Sequence, residues 1–239
     1  RRPRLQTILV LPTLITAGNL LCGVVALTKL QQAAAVSDPA DQRTLWVAAA
    51  WLIFVGMLCD ALDGRIARLT HATSAFGAQL DSLADVVTFG VTPALLARTV
   101  LEATFPELHP RLLTALIVLY VLGATLRLAR YNVESARVSE EAEGHVTMVF
   151  RGLPSPAAAG VVASLVLLHG EYHQQVHGID WTILLITPLL GLLMISRFPY
   201  PHVANRFLEG QRALVSVVFL VVTIFVAINF FHETIAVAF

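Results

Sequence analysis

Apolar runs of about 20 residues, separated by short polar stretches, set the pattern of this chain. They predict membrane-spanning helices over about 13–35, 44–69, 75–101, 112–132, 154–169, 181–196 and 213–231. Pro12 stands where the first helix is expected to start, and Pro93 is expected to kink the third. A turn is predicted around 70–74, with Ser74 as an N-cap. The polar connection 133–154 reads as loop or amphipathic helix, and a His-rich loop precedes the sixth span. No internal repeat suggests an inverted-repeat transporter. The pattern therefore predicts one all-α integral-membrane domain over 1–239.

Composition strengthens this reading. Only 13% of the residues are charged, about half the share usual in a soluble domain. A net charge of zero gives no nucleic-acid signal. Cys22 and Cys59 form no pair motif and read as filler thiols. Arg1, Arg2 and Arg4 lead into the first span without a small-residue cleavage site, so that segment is expected to be retained. Trp46, Trp51 and Trp181 fit interfacial anchors. With a cytoplasmic N-terminus, 12 basic residues fall on the inner side and 4 on the outer. That asymmetry predicts a protein of the cytoplasmic membrane, with residues 60–85 at its cytoplasmic end.

Residues 60–85, DALDGRIARLTHATSAFGAQLDSLAD, stand out against this background. Asp60 and Asp63 are three residues apart, and Asp81 and Asp85 are four apart, so each pair shares a helix face. A short turn makes the two helices antiparallel neighbours, able to face each other. A charged residue at the centre of a membrane helix costs roughly 2.5–3.5 kcal/mol. Four carboxylates in one cleft must be partly protonated or joined by cations, and oxygen donors suit two divalent ions, Mg²⁺ or Mn²⁺. Gly64, Ala67 and Gly77 leave room for a bulky group near the backbone. Arg65 and Arg68 add positive charge, Arg68 being the better placed to hold a phosphate. No Walker, dinucleotide-binding, nucleophile-elbow or zinc-protease motif is present.

The pattern Asp60-x2-Asp63-Gly64-x2-Ala67-Arg68-x8-Gly77-x3-Asp81-x3-Asp85 resembles the signature of the CDP-alcohol phosphatidyltransferase family at all eight fixed positions. The resemblance implies a six-helix transmembrane core, about 11–197, with the seventh span, about 213–231, as an addition. It also implies a homodimer that displaces CMP from a CDP-linked lipid with an alcohol. By the same resemblance Asp60, Asp63, Asp81 and Asp85 would ligate the metals, with Asp85 also the general base. Gly64, Ala67 and Gly77 would border the CDP group and Arg68 its phosphates, with Asn19 and Ser74 as further contacts to CDP-diacylglycerol.

The segments LPTLITAGN, FGAQLDSLADVVTFGVTPA, LRLARYN and FRGLPSPAAAG are similar to the membrane-type phosphatidylserine synthase branch of that family. That similarity implies CDP-diacylglycerol as donor and L-serine as acceptor. Arg127, Arg130 and Arg151 are the cations available for the serine carboxylate, and each reads equally well as a topology determinant or headgroup anchor. Thr16 and Asn19 read as interhelical hydrogen bonds as readily as substrate contacts. The same chemistry with glycerol 3-phosphate or inositol phosphate is the nearest rival. A transporter with an intramembrane carboxylate site is the rival of another class, and it leaves the Gly, Ala and Arg positions unexplained.

Overall fold

The computed structural model describes residues 3–69, 75–140, 152–172 and 178–196, all within one compact unit, Arg1–Arg197. The expected span at 213–231 lies outside the described residues, as does the turn at 70–74. The described chain is all-helical. It comprises α1 (Pro3–Ala35), α2 (Pro39–Leu69), α3 (Ala75–Asp85), a π-helix (Val86–Val91), α4 (Thr92–Thr104), α5 (Pro110–Glu140), α6 (Ser155–Tyr172) and α7 (Ile179–Ile195). Asp85, Val91 and Thr92 all keep right-handed helical angles, so α3, the π-helix and α4 form one continuous rod. The described residues thus make six rods.

Among the described residues, four stretches are long and apolar enough to cross a membrane: Pro12–Ala35, Pro39–Ala67, Phe76–Thr104 and Pro110–Glu134. Helix α7 is apolar but shorter. Large apolar side chains stand exposed around the bundle, among them Leu21, Val55, Leu58, Leu122, Leu126, Leu185 and Leu189. Such a surface suits lipid and not water. In Phe76–Thr104, 56% of the span is buried, against 28% to 33% in the other three, so this rod is the central one. Helix α1 packs along α2, α5 packs against α7, and α6 packs on α2.

Helix starts follow a repeated local device. Asp38 accepts a bond from the Ala40 amide at 3.2 Å, with Pro39 as the first helical residue of α2. His109 takes the same part for α5, its Nδ1 accepting from the Arg111 amide at 3.2 Å ahead of Pro110. Both helices therefore begin earlier than the apolar runs do, and the loop between α1 and α2 shrinks to residues 36–38. Helix α5 runs on to Glu140, so the first part of the connection 133–154 is helical.

One expectation about proline is corrected. Pro12 lies inside α1 and does not start it. Only one intrahelical bond is forfeited there, and the helix carries on through it. Pro93 follows the π-helix directly, inside this continuous rod; it cannot bond back to the Phe89 carbonyl, which instead accepts from the Tyr120 hydroxyl at 3.2 Å. Thr92 supports this junction by donating to the Val87 carbonyl, five residues back, at 2.9 Å. Trp46 is also not an interfacial anchor. It is buried, with its ring 6.0 Å from that of His169, whose Nδ1 lies 2.7 Å from Asp180 Oδ1. This cluster ties α2, α6 and α7 together at the end of the bundle away from the aspartates.

Candidate functional site

The four aspartates arrive on two helices. Asp60, Asp63, Gly64 and Ala67 follow the i, i+3, i+4, i+7 spacing of one stripe on α2, and Gly77, Asp81 and Asp85 follow i, i+4, i+8 on α3. The structure brings the two stripes together. Asp60, Asp63 and Asp81 each present a carboxylate oxygen, and these three oxygens lie within 4.8 Å of one another. Asp63 is buried, and Asp81 Oδ1 is buried without a hydrogen-bond partner. Three acceptor-only groups this close repel strongly in a low-dielectric setting. A bound cation would relieve this repulsion, and an all-oxygen donor set fits a hard divalent ion such as Mg²⁺ or Mn²⁺.

Asp85 stands beside this trio and is 8% exposed. Its Oδ1 accepts a bond from Asn19 Nδ2 at 3.2 Å, while Asp63 Oδ2 accepts one from Thr16 Oγ1 at 2.7 Å. Thr16 and Asn19 are three apart on α1 and both are buried. Helix α1 therefore reaches one aspartate from each pair, and both polar residues make interhelical bonds. Outer-shell donors of this kind fix the orientation of metal-binding carboxylates.

Arg127 comes from α5. Its Nη1 donates to Ser155 Oγ at 2.8 Å, and its charge acts on both Asp60 and Asp85. It is the one serine-contact expectation that the described residues bring to the aspartates. Arg130 instead donates from Nη1 to the Ile195 carbonyl at 3.3 Å, satisfying the last turn of α7. The Arg68 side chain, Ser74 and Arg151 fall outside the described residues. Asn132 donates from Nδ2 to Ser82 Oγ at 2.9 Å, so α5 is tied to α3 between Asp81 and Asp85. Ser82 went unremarked in the sequence, since a lone serine within a helix carries no chemical signal. Gly64 is exposed, and nothing lies within 4 Å of where a Cβ would stand.

The family model for CDP-alcohol phosphatidyltransferase matches residues 9–193. The CDP-diacylglycerol–serine O-phosphatidyltransferase of Helicobacter pylori is 40% identical over 157 residues, which are 66% of this chain and 62% of that protein. The enzyme of the same name from Bacillus subtilis is 34% identical over 200 residues, 84% of this chain and 94% of its own length. That of Saccharomyces cerevisiae is 37% identical over 116 residues, 48% of this chain and 40% of its own length.

Proposed function

Since the chain belongs to the CDP-alcohol phosphatidyltransferase family, we propose that it transfers the phosphatidyl group of CDP-diacylglycerol to the hydroxyl of L-serine, giving phosphatidylserine and CMP. The observation that carries this reading is the cluster itself: three carboxylate oxygens within 4.8 Å, on two facing helices, with Asp85 beside them. The names of the relatives support serine as the acceptor.

Asp60, Asp63, Asp81 and Asp85 hold two divalent cations, Mg²⁺ or Mn²⁺. When bound, these ions neutralise the pyrophosphate of the donor and the charge that gathers on departing CMP. The stripe of Gly64 and Ala67, with Gly77 opposite, admits the CDP group, and Arg68 and Ser74 meet its phosphates. A serine hydroxyl is a weak nucleophile at neutral pH and needs a base within hydrogen-bond reach. Asp85 takes that proton as the serine oxygen bonds to the lipid-linked phosphorus. The bond from that phosphorus to the CMP oxygen breaks, and the electron pair leaves with CMP. Arg127, with Arg151 as a further cation, receives the serine carboxylate. The protein acts as a homodimer in the cytoplasmic membrane, with the site open to the cytoplasm.

The test is CMP release by the purified protein from CDP-diacylglycerol across a panel of acceptors. Serine-dependent release that EDTA abolishes is expected. Release with glycerol 3-phosphate or inositol phosphate, and none with serine, would overturn the choice of acceptor.

A further inference from the structure

Asn19 is fully buried, and the structure surrounds it with an unusual amount of fitting. The Thr88 hydroxyl, in the π-helix, donates to the Asn19 main-chain carbonyl at 3.0 Å. Thr88 is itself fully buried and fits only because two neighbours are glycine. A Cβ on Gly23 would stand 2.6 Å from Thr88 Oγ1, and one on Gly56 would stand 2.7 Å from Thr88 Cγ2. The Gly56 Cβ would also meet Asn19 Oδ1 at 3.0 Å. The π-helix begins directly after Asp85. Its wider turn places Thr88 between α1 and α2, and so couples the backbone of Asn19 to the residue that follows the aspartate stripe.

The side chain completes the argument. Asn19 Nδ2 is spent on Asp85 Oδ1, and Asn19 Oδ1 is buried with no hydrogen-bond partner. An unpaired buried amide oxygen is unfavourable, and it is offset here by a charge-assisted bond from the other end of the same amide. The bond to Asp85 is thus the interaction that the structure shows for this amide. Asp85 keeps Oδ2 for the cluster.

We propose that Asn19 is a positioning residue for Asp85: seated by Thr88, Gly23 and Gly56, it holds one carboxylate oxygen so that the other is aimed at the metal and the acceptor hydroxyl. Asn19 therefore serves the reaction through Asp85. This deepens the proposed reaction and rests on it for the role of Asp85.

The experiment compares the full-length wild type with Asn19→Ala, Asp85→Asn and the double variant in detergent. Mn²⁺ affinity is read by electron paramagnetic resonance without substrates, and steady-state CMP release is read separately. Asn19→Ala is expected to weaken Mn²⁺ binding about 10-fold and to lower kcat about 10- to 100-fold, the range for loss of an outer-shell partner. At saturating Mn²⁺, KM for CDP-diacylglycerol should stay within about twofold, because ground-state binding of the donor is then untouched. In the Asp85→Asn background, Asn19→Ala should cause no further loss of Mn²⁺ affinity. Equal weakening in both backgrounds, or a raised donor KM at unchanged kcat, overturns the proposal. Thr88→Val keeps the shape and removes the hydroxyl; about threefold weaker Mn²⁺ binding is expected, and no change also overturns it. Because Mn²⁺ binding is independent of the acceptor, a wild type that prefers another alcohol would refute serine and leave this test in force.

Discussion

Arg127 donates from Nη1 to the hydroxyl of Ser155 across 2.8 Å, and Ser155 has no exposed surface. This bond joins the LRLARYN segment of α5 to the first residue of α6, 28 positions later. It also aims the guanidinium at the aspartate side of the bundle. Arg127→Ala should raise KM for serine about 10-fold while KM for CDP-diacylglycerol changes little, since a charge-assisted bond is worth roughly 1.5–3 kcal/mol. Arg127→Lys should restore little of this, because a lysine cannot bridge Ser155 and a carboxylate with one planar group. Steady-state kinetics with each substrate varied in turn checks both outcomes.

Thr16 gives a parallel case at the other aspartate pair. Its hydroxyl donates to Asp63 Oδ2 at 2.7 Å and also lies 3.1 Å from the Pro12 carbonyl. Thr16→Val should lower activity about 10-fold and shift the Mn²⁺ dependence to higher concentration. Thr16→Ser, which keeps the hydroxyl, should stay within about threefold of wild type by the same reasoning. Titration of CMP release against Mn²⁺ separates the two variants.

What the sequence made legible was periodic. The aspartate pairs, the Gly64 and Ala67 stripe and most apolar runs follow from helical spacing alone, and the structure repeats them on α2 and α3. What it hid was non-local or unusual backbone. Nothing in VVTFGV announces a π-helix, because the widened turn depends on Thr88 reaching the Asn19 carbonyl 69 residues away. Arg127 and Arg130 look alike three residues apart, yet one turns to Ser155 and the other to the end of α7. Only the positions of α6 and α7 decide between them. Trp46 looked interfacial because it lies near a span end, and it is buried because α6 brings His169 over it.

Removing the metal should separate binding from folding. Asp60, Asp63 and Asp81 bring three acceptor oxygens within 4.8 Å of one another. EDTA should abolish CMP release, and added Mg²⁺ or Mn²⁺ should restore it. Asp60→Ala, Asp63→Ala and Asp81→Ala should each reduce activity by more than the roughly 100-fold that is the most usually lost with an outer-shell partner. Their thermal unfolding without metal should match or exceed that of the wild type, since each removes a like charge from the cluster. Melting curves in EDTA, measured beside activity in Mn²⁺, check the pair of outcomes.

Gly64 offers the sharpest division between fold and function. A Cβ there meets nothing within 4 Å, whereas one on Gly23 or Gly56 runs into Thr88 at 2.6 or 2.7 Å. Gly64 also lies within α2, where glycine is less favourable than alanine by about 0.5–1 kcal/mol. The protein's own packing therefore gives no reason for glycine at this position. Gly64→Ala should raise the melting temperature by a degree or more and lower CMP release, with the loss carried by a higher KM for CDP-diacylglycerol. Gly56→Ala should do the reverse in stability, lowering the melting temperature by several degrees as Thr88 and Asn19 are forced apart. If Gly64→Ala keeps full activity with an unchanged donor KM, the CDP group does not approach the backbone along the Gly64 and Ala67 stripe.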